Sequence, residues 1–195
     1  MEAATSRREE AKGQLLDAAE RLLVEAGYAG LTTRRVAAEA GVNHGLVHYY
    51  FGSMEELLLQ VLERFTGRLI ERQTAMYEAD VPFIEKWRTA MRWLEEDVEA
   101  GYPKVWWELQ AMAWNHPAMA ERVRRVDEMW RGLLRVHFKR ALDDYGVDFP
   151  LEAVVSLVVT FNIGVQIEQL SGITDGHAEL LAWIDGWLEQ QEAAA

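Results

Sequence analysis

Apolar residues return every three or four positions along most of this chain, and alternating β-branched runs are scarce, a pattern that predicts an all-α protein. Arg8 to Ala26 reads as a first helix, with Leu15, Leu16, Ala19, Leu22 and Leu23 on one face and a stop at Gly27. The densest signals follow in Leu31 to Leu58, LTTRRVAAEAGVNHGLVHYYFGSMEELL. Thr32 or Thr33 offers a capping oxygen to a short helix whose apolar positions are Val36, Ala37 and Ala40. Gly41 ends that helix, because glycine enters the left-handed conformation without penalty. Val42 plugs the corner, and Asn43 caps a second short helix, His44 to Tyr50, with Gly45 near its start. Two short helices across a tight turn form a helix-turn-helix, whose second helix enters the major groove of DNA. Such a unit is too small to own a core, so the face of the first helix has to cover it. Ser53 and Glu56 then make the S-x-x-E box of a longer helix.

That helix, Met54 to about Ala79, carries Leu57, Leu58, Val61, Leu62, Phe65, Leu69 and Ile70 and links the head to the rest. Further helices are predicted from Pro82 to Glu99, Pro103 to Asn115, Pro117 to about Tyr145, Leu151 to Leu170 and, capped by Thr174, to Glu189. The tail from Gln190 to Ala195 is expected to fray. The expected organisation is an N-terminal three-helix helix-turn-helix DNA-binding domain, residues 1–53, joined to a larger helical ligand-binding and dimerisation domain, residues 54–195, with 54–79 as the linking helix. Ala153 to Ile167 has no charged side chain, so the helix that holds it is expected to be buried on more than one side, against its own chain and a second one.

Composition narrows the class. The chain has 195 residues, enough for a substantial core, and half are hydrophobic. It has no Cys, hence no disulfide framework and no thiolate zinc site. The polar N-terminus lacks the apolar run of a signal peptide, and the uncharged stretch of 15 residues falls short of the roughly 18 to 20 that a membrane span needs. A cytoplasmic protein is expected. A net charge of -12 is at odds with nucleic-acid binding, which draws on phosphate neutralisation. Residues 1–53, however, hold six Lys+Arg against seven Asp+Glu, and the remainder 14 against 25. The acid therefore lies away from the head, which suits modest, localised phosphate contact.

TTRRVAAEAGVNHGLVHYYFGSMEELL resembles the DNA-binding domain of the tetracycline-repressor (TetR) family of transcriptional regulators, and the close resemblance covers roughly the first 65 residues. It implies a homodimer that sets two heads on successive major grooves of an operator, and a small-molecule effector in the C-terminal domain. Carried onto this sequence, Arg34 is the base reader, by bidentate pairing with guanine. His44, Gly45 and Leu46 face the groove floor, Thr33, His48 and Tyr49 hold the DNA backbone, and Arg35 and Asn43 complete the interface. Three positions depart from the family pattern: Leu46 where a hydroxyl residue is frequent, His48 where Tyr is, and Met54 where Lys is, which removes a phosphate charge. The backbone amides at the start of the following helix could still bind a phosphate. A solvated helix face is the plain alternative for Arg34 and Arg35. His44 and His48, four apart, have no third ligand beside them, so no metal is expected.

Large aromatics and Met concentrate in three consecutive helices, and Trp87, Met91, Trp107, Trp114 and Trp130 are the candidates for lining an apolar effector cavity. Asn162 and Gln166, one turn apart in the greasy helix, either bond a ligand or satisfy each other across a subunit interface. Helices 151–170 and 174–189 of two chains would make a four-helix bundle. The reading is a homodimeric regulator, a repressor released by an apolar or aromatic ligand, with no cofactor and no catalytic residue. The alternatives are a helical small-molecule-binding protein that does not read DNA and an all-helical enzyme. The second lacks a thiol, a Glu-x-x-His pair, a phosphate loop and a nucleophile with its base.

Overall fold

The computed structural model describes the backbone of residues 2–194 and the side chains of residues 8–194. Among the described residues there are nine α-helices and no strand: α1 Glu2–Ala26, α2 Thr33–Glu39, α3 Gly45–Phe51, α4 Met54–Glu78, α5 Phe83–Glu99, α6 Tyr102–Ala113, α7 Pro117–Asp144, α8 Leu151–Leu170 and α9 His177–Ala194. The boundaries follow the punctuation in the sequence. Gly27, Gly41, Gly52, Gly101 and Gly146 all take positive φ just past a helix end. The tail expected to fray is helical through Ala194, where Tyr145 donates its hydroxyl to Glu192; Ala195 lies outside the described residues.

The chain forms two compact units, Met1–Gly67 with Lys104–Arg125, and Arg68–Pro103 with Val126–Ala195. The first unit therefore does not end at residue 53, where the sequence suggested a boundary. Leu57, Leu58, Val61 and Leu62 of α4, Leu109 of α6 and Met119 and Val123 of α7 are buried in one cluster with Leu15, Leu22 and Leu23 of α1, Val36 of α2, and Val47 and Phe51 of α3. Three short helices bury too little apolar surface to stand alone. Later segments of the chain complete their core, and ion pairs tie them in. Arg64 of α4 reaches Asp17 and Glu20 of α1 at 2.7 and 2.8 Å, and Arg122 of α7 bonds Glu63 and Glu56 of α4.

In the second unit Met76, Tyr77, Leu134, Val155 and Val159 form the buried centre. Arg88 of α5 fastens α9, donating to both oxygens of Asp185 at 2.9 and 2.7 Å and to Glu189. Within the single chain helix α8 is buried on one face, at Val155, Val159 and Val165. Its other face is open, with Leu157 63% exposed, and on α9 Trp183 is 69% exposed. Counting only the uncharged run also understated α8. Its 20 residues are long and apolar enough to cross a membrane by length and composition, Glu152 and Glu168 notwithstanding.

Candidate nucleic-acid interface

The helix-turn-helix is built by local bonds that the sequence supplies. Of the two candidate caps for α2 it is Thr32 that acts, its hydroxyl accepting the Arg35 N–H at 3.1 Å. Thr33 opens the helix. At the other end Gly41, at φ 68°, lets the Val42 N–H return to the Ala37 carbonyl at 3.0 Å and its own N–H to the Ala38 carbonyl at 3.2 Å, a Schellman closure that turns the chain sharply. Asn43 then accepts the Gly45 N–H on its side-chain oxygen at 2.8 Å and launches α3.

Helical periodicity divides α3 cleanly. Val47 and Phe51 are buried, and Leu46 and Tyr50 pack against the same core; His44, Gly45, His48 and Tyr49 are exposed. The short helix therefore presents one outward face, held rigid from behind. Leu46 departs from the expectation that it lies on the groove floor, because its place in the 3.6-residue repeat turns it toward the core. Gly45 is exposed, and a Cβ there would meet only Asn43 Oδ1, at 3.3 Å, so the front of the helix is unobstructed.

The two arginines of α2 divide into different tasks. Arg35 donates to the Gly30 carbonyl at 3.1 Å and so locks the turn that precedes α2. Arg34 is exposed and makes no hydrogen bond or ion pair among the described residues, leaving its planar five-donor guanidinium available. His48 Nδ1 lies 3.1 Å from the Gly52 carbonyl, which can only accept, so Nδ1 carries the proton. Nε2 then donates to a phosphate only in the imidazolium form.

Two basic residues beside α3 were not singled out in the sequence. The Arg8 guanidinium of α1 lies 5.2 Å from the centre of the Tyr49 ring and 6.0 Å from that of Tyr50, and Lys12 Nζ lies 5.9 Å from that of Phe51. Their signal is the four-residue spacing, which puts both on one face of α1 beside α3. The start of α4 behaves differently from the expectation. Ser53 accepts the Glu56 N–H at 3.1 Å, but the Glu56 carboxylate does not return the bond; it accepts from Gln60 at 2.7 Å and from Arg122. The Glu55 carboxyl is held below its usual range by its own backbone N–H and by Ser53, so a carboxylate already takes one amide at the start of α4.

The seven residues expected around an effector do not gather in one place. Trp107, in α6, and Trp114, just past its end, lie in the first unit, with Trp114 76% exposed. In the second unit Trp130 donates its indole N–H to Gln73 at 2.8 Å, and Asn162 donates to the Val158 carbonyl of its own helix at 2.8 Å, with no bond to Gln166. A cavity of about 760 Å³ does exist in this unit, walled by α5, the end of α7, α8 and α9, and of the seven it takes only Trp87. Trp93, Trp106 and Trp130 pack against the buried clusters of their units instead. Among the described residues no group of three or more His, Asp or Glu could hold a metal ion.

Residues 15–61, which run from the middle of α1 into α4, match the model of the family described as bacterial regulatory proteins, tetR family. Over that stretch the chain is similar to that family. The chain is 37% identical over 65 residues to the HTH-type transcriptional regulator BetI of Rhizobium meliloti, a match that spans about a third of that protein's length (32%) and 33% of this chain. It is 24% identical over 183 residues, 92% of the chain and 93% of the relative, to the HTH-type transcriptional repressor AcnR of Corynebacterium glutamicum. A TetR transcription regulator from Haloarcula marismortui shares the fold with a TM-score of 0.72 at 22% identity, over 92% of this chain and 96% of that one. These relatives are regulators and not enzymes.

Proposed function

We propose that this protein is a homodimeric, sequence-specific DNA-binding regulator, a repressor released from its operator when a small apolar or aromatic molecule binds the second unit. The observation that carries the reading is the exposed face of α3, His44, Gly45, His48 and Tyr49, beside an Arg34 with no internal partner. Arg34 reads a guanine edge, and Thr33, His48 and Tyr49 hold phosphates with Arg8 and Lys12 in support. One short helix reads too few base pairs for useful specificity, so two copies act together. The open apolar faces of α8 and α9 are the surface on which they join. A protein with this task works where the chromosomal DNA is, in the cytoplasm.

Release follows as a population shift. A ligand that binds more tightly to the dimer whose heads are misplaced for one duplex lowers operator affinity, and only by as much as its affinities for the two states differ. The acid at the start of α4 favours one competing reading, a ligand-binding protein that has lost DNA reading. Retardation of genomic duplexes at low salt separates the two. Binding that weakens steeply with salt and loses base preference in Arg34→Ala supports the regulator, and absence of any retarded duplex supports the alternative.

A further inference from the structure

The cavity of the second unit has a one-sided chemistry. Its volume of about 760 Å³ falls in the range of small-molecule sites, and its wall includes the rings of Phe83, Trp87, Phe161, Trp183 and Trp187. Among the lining residues Ala141, Val165 and Leu188 are buried, and Leu157 and Trp183 are open to solvent, so the site has a floor and a mouth. No Lys or Arg lines it. Of its polar members, Tyr145 gives its hydroxyl to Glu192, and His177 Nε2 lies 2.6 Å from Glu168 Oε2. Glu168 is thus the only carboxylate in the wall, and with two oxygens it keeps acceptor capacity beyond the His177 bond. The surrounding unit holds nine Lys+Arg against twenty Asp+Glu, which extends the negative field well past one side chain.

We propose that this cavity takes a cationic amphiphile, its apolar body against the aromatic wall and its positive head beside Glu168. The inference rests on the ligand-responsive reading of this unit and names the class of ligand. A carboxylate head would find no Lys or Arg and would lie next to Glu168. A neutral head would gain only weak hydrogen bonds. A cation gains the carboxylate, the field of the unit and the faces of the tryptophan rings. A second copy laid on α8 and α9 roofs the mouth and leaves the floor to the ligand.

The test uses the full-length protein with decyltrimethylammonium, decanol and decanoate below their micellar concentrations. Quenching of tryptophan fluorescence reads binding, and sedimentation of the same samples reads the oligomer. Decyltrimethylammonium is expected to bind about tenfold or more tighter than decanol, with decanoate weakest. Glu168→Gln is expected to bring the cation to within about twofold of decanol while leaving decanol unchanged. Gly164→Leu enters the cavity wall at a glycine where an added Cβ meets nothing within 4 Å, and it is expected to block all three probes in a folded protein. Equal affinity for the three probes, or a preference for the cation that survives Glu168→Gln, overturns the choice of ligand and leaves the regulator reading intact. Probes that bind only as the dimer dissociates show that the second copy fills the cavity, and overturn the proposal. If no probe binds, the cavity is not a ligand site. Because operator release is not among the readouts, failure of the regulator reading shows separately.

Discussion

The Glu108 carboxylate of α6 accepts the backbone N–H of Tyr28 at 2.6 Å, at the corner where α1 ends and the helix-turn-helix begins. The two residues are 80 apart in sequence, so this corner of the head is closed by a side chain from the middle of the chain. Gly27 makes room for it: its φ is 65°, and a Cβ there would lie 2.5 Å from Glu108 Oε1. Gly27→Ala is therefore expected to destabilise the first unit by about 1 to 3 kcal/mol, the left-handed penalty plus a displaced carboxylate. Glu108→Ala should cost about 1 kcal/mol, because water can replace part of the lost bond at an exposed corner. Urea unfolding followed by circular dichroism measures both, and an unchanged midpoint in Gly27→Ala would contradict the geometry.

Arg34 and Arg35 are neighbours with separable tasks. Arg34→Ala removes a side chain with no internal partner, so it should leave stability unchanged and cost about 1 to 3 kcal/mol of operator affinity with relaxed base preference. Arg35→Ala removes the bond to the Gly30 carbonyl and should lower stability by about 0.5 to 1.5 kcal/mol. Parallel unfolding and operator titrations would show the crossover. Equal effects of the two changes on both readouts would refute the division.

Arg122 ties the start of α7 to α4, and its contribution should depend on pH. Burial pushes the Glu56 carboxyl up, but hydrogen bonds from Gln60 and Arg122 outweigh it and hold the group below its ordinary value in the folded protein. A carboxyl lowered by folding contributes stability that is complete above its unfolded value and fades as pH falls through the folded one. Arg122→Ala should therefore cost about 1 kcal/mol near neutrality, a modest figure because both carboxylates remain partly in water, and the gap from the parent should close in acid. Unfolding midpoints across pH 3 to 7 read it, and a gap that is constant over about that range would assign the effect to packing alone.

The open faces of α8 and α9 lead to a separate expectation. Leu157→Glu and Trp183→Glu place charge on exposed apolar positions and should leave the monomer folded. If two copies meet there, each change buries an unpaired carboxylate and should convert the dimer to monomer in sedimentation runs at micromolar concentration. A dimer that survives both changes joins elsewhere.

Local signals carried most of the fold. Gly27, Gly41 and Gly101 ended the helices that the apolar spacing began, and Asn43 and Ser53 capped the next ones, because these effects act within one turn of chain. The exposed face of α3 was legible for the same reason, except at Leu46, where a family-based role overrode what the 3.6-residue repeat implied. Partnerships between distant segments were not legible. Nothing in the sequence around Glu108 or Arg122 shows that each completes the head, and Arg8 acquires meaning only once Tyr49 is beside it. Trp107 and Trp130 illustrate the same limit. A large aromatic at helical spacing reads alike whether it lines a cavity or fills a core, and most of these fill a core.

That α3 of two joined copies reads one duplex is tested most directly by selection of bound fragments from the source genome followed by footprinting of the strongest. The expected result is a pseudo-palindromic site whose protected half-sites lie about 34 Å or a multiple of that apart on one face of the DNA, with protection lost in Arg34→Ala. Enrichment of no sequence at low salt, or a footprint without two-fold symmetry that Arg34→Ala leaves unchanged, would contradict it.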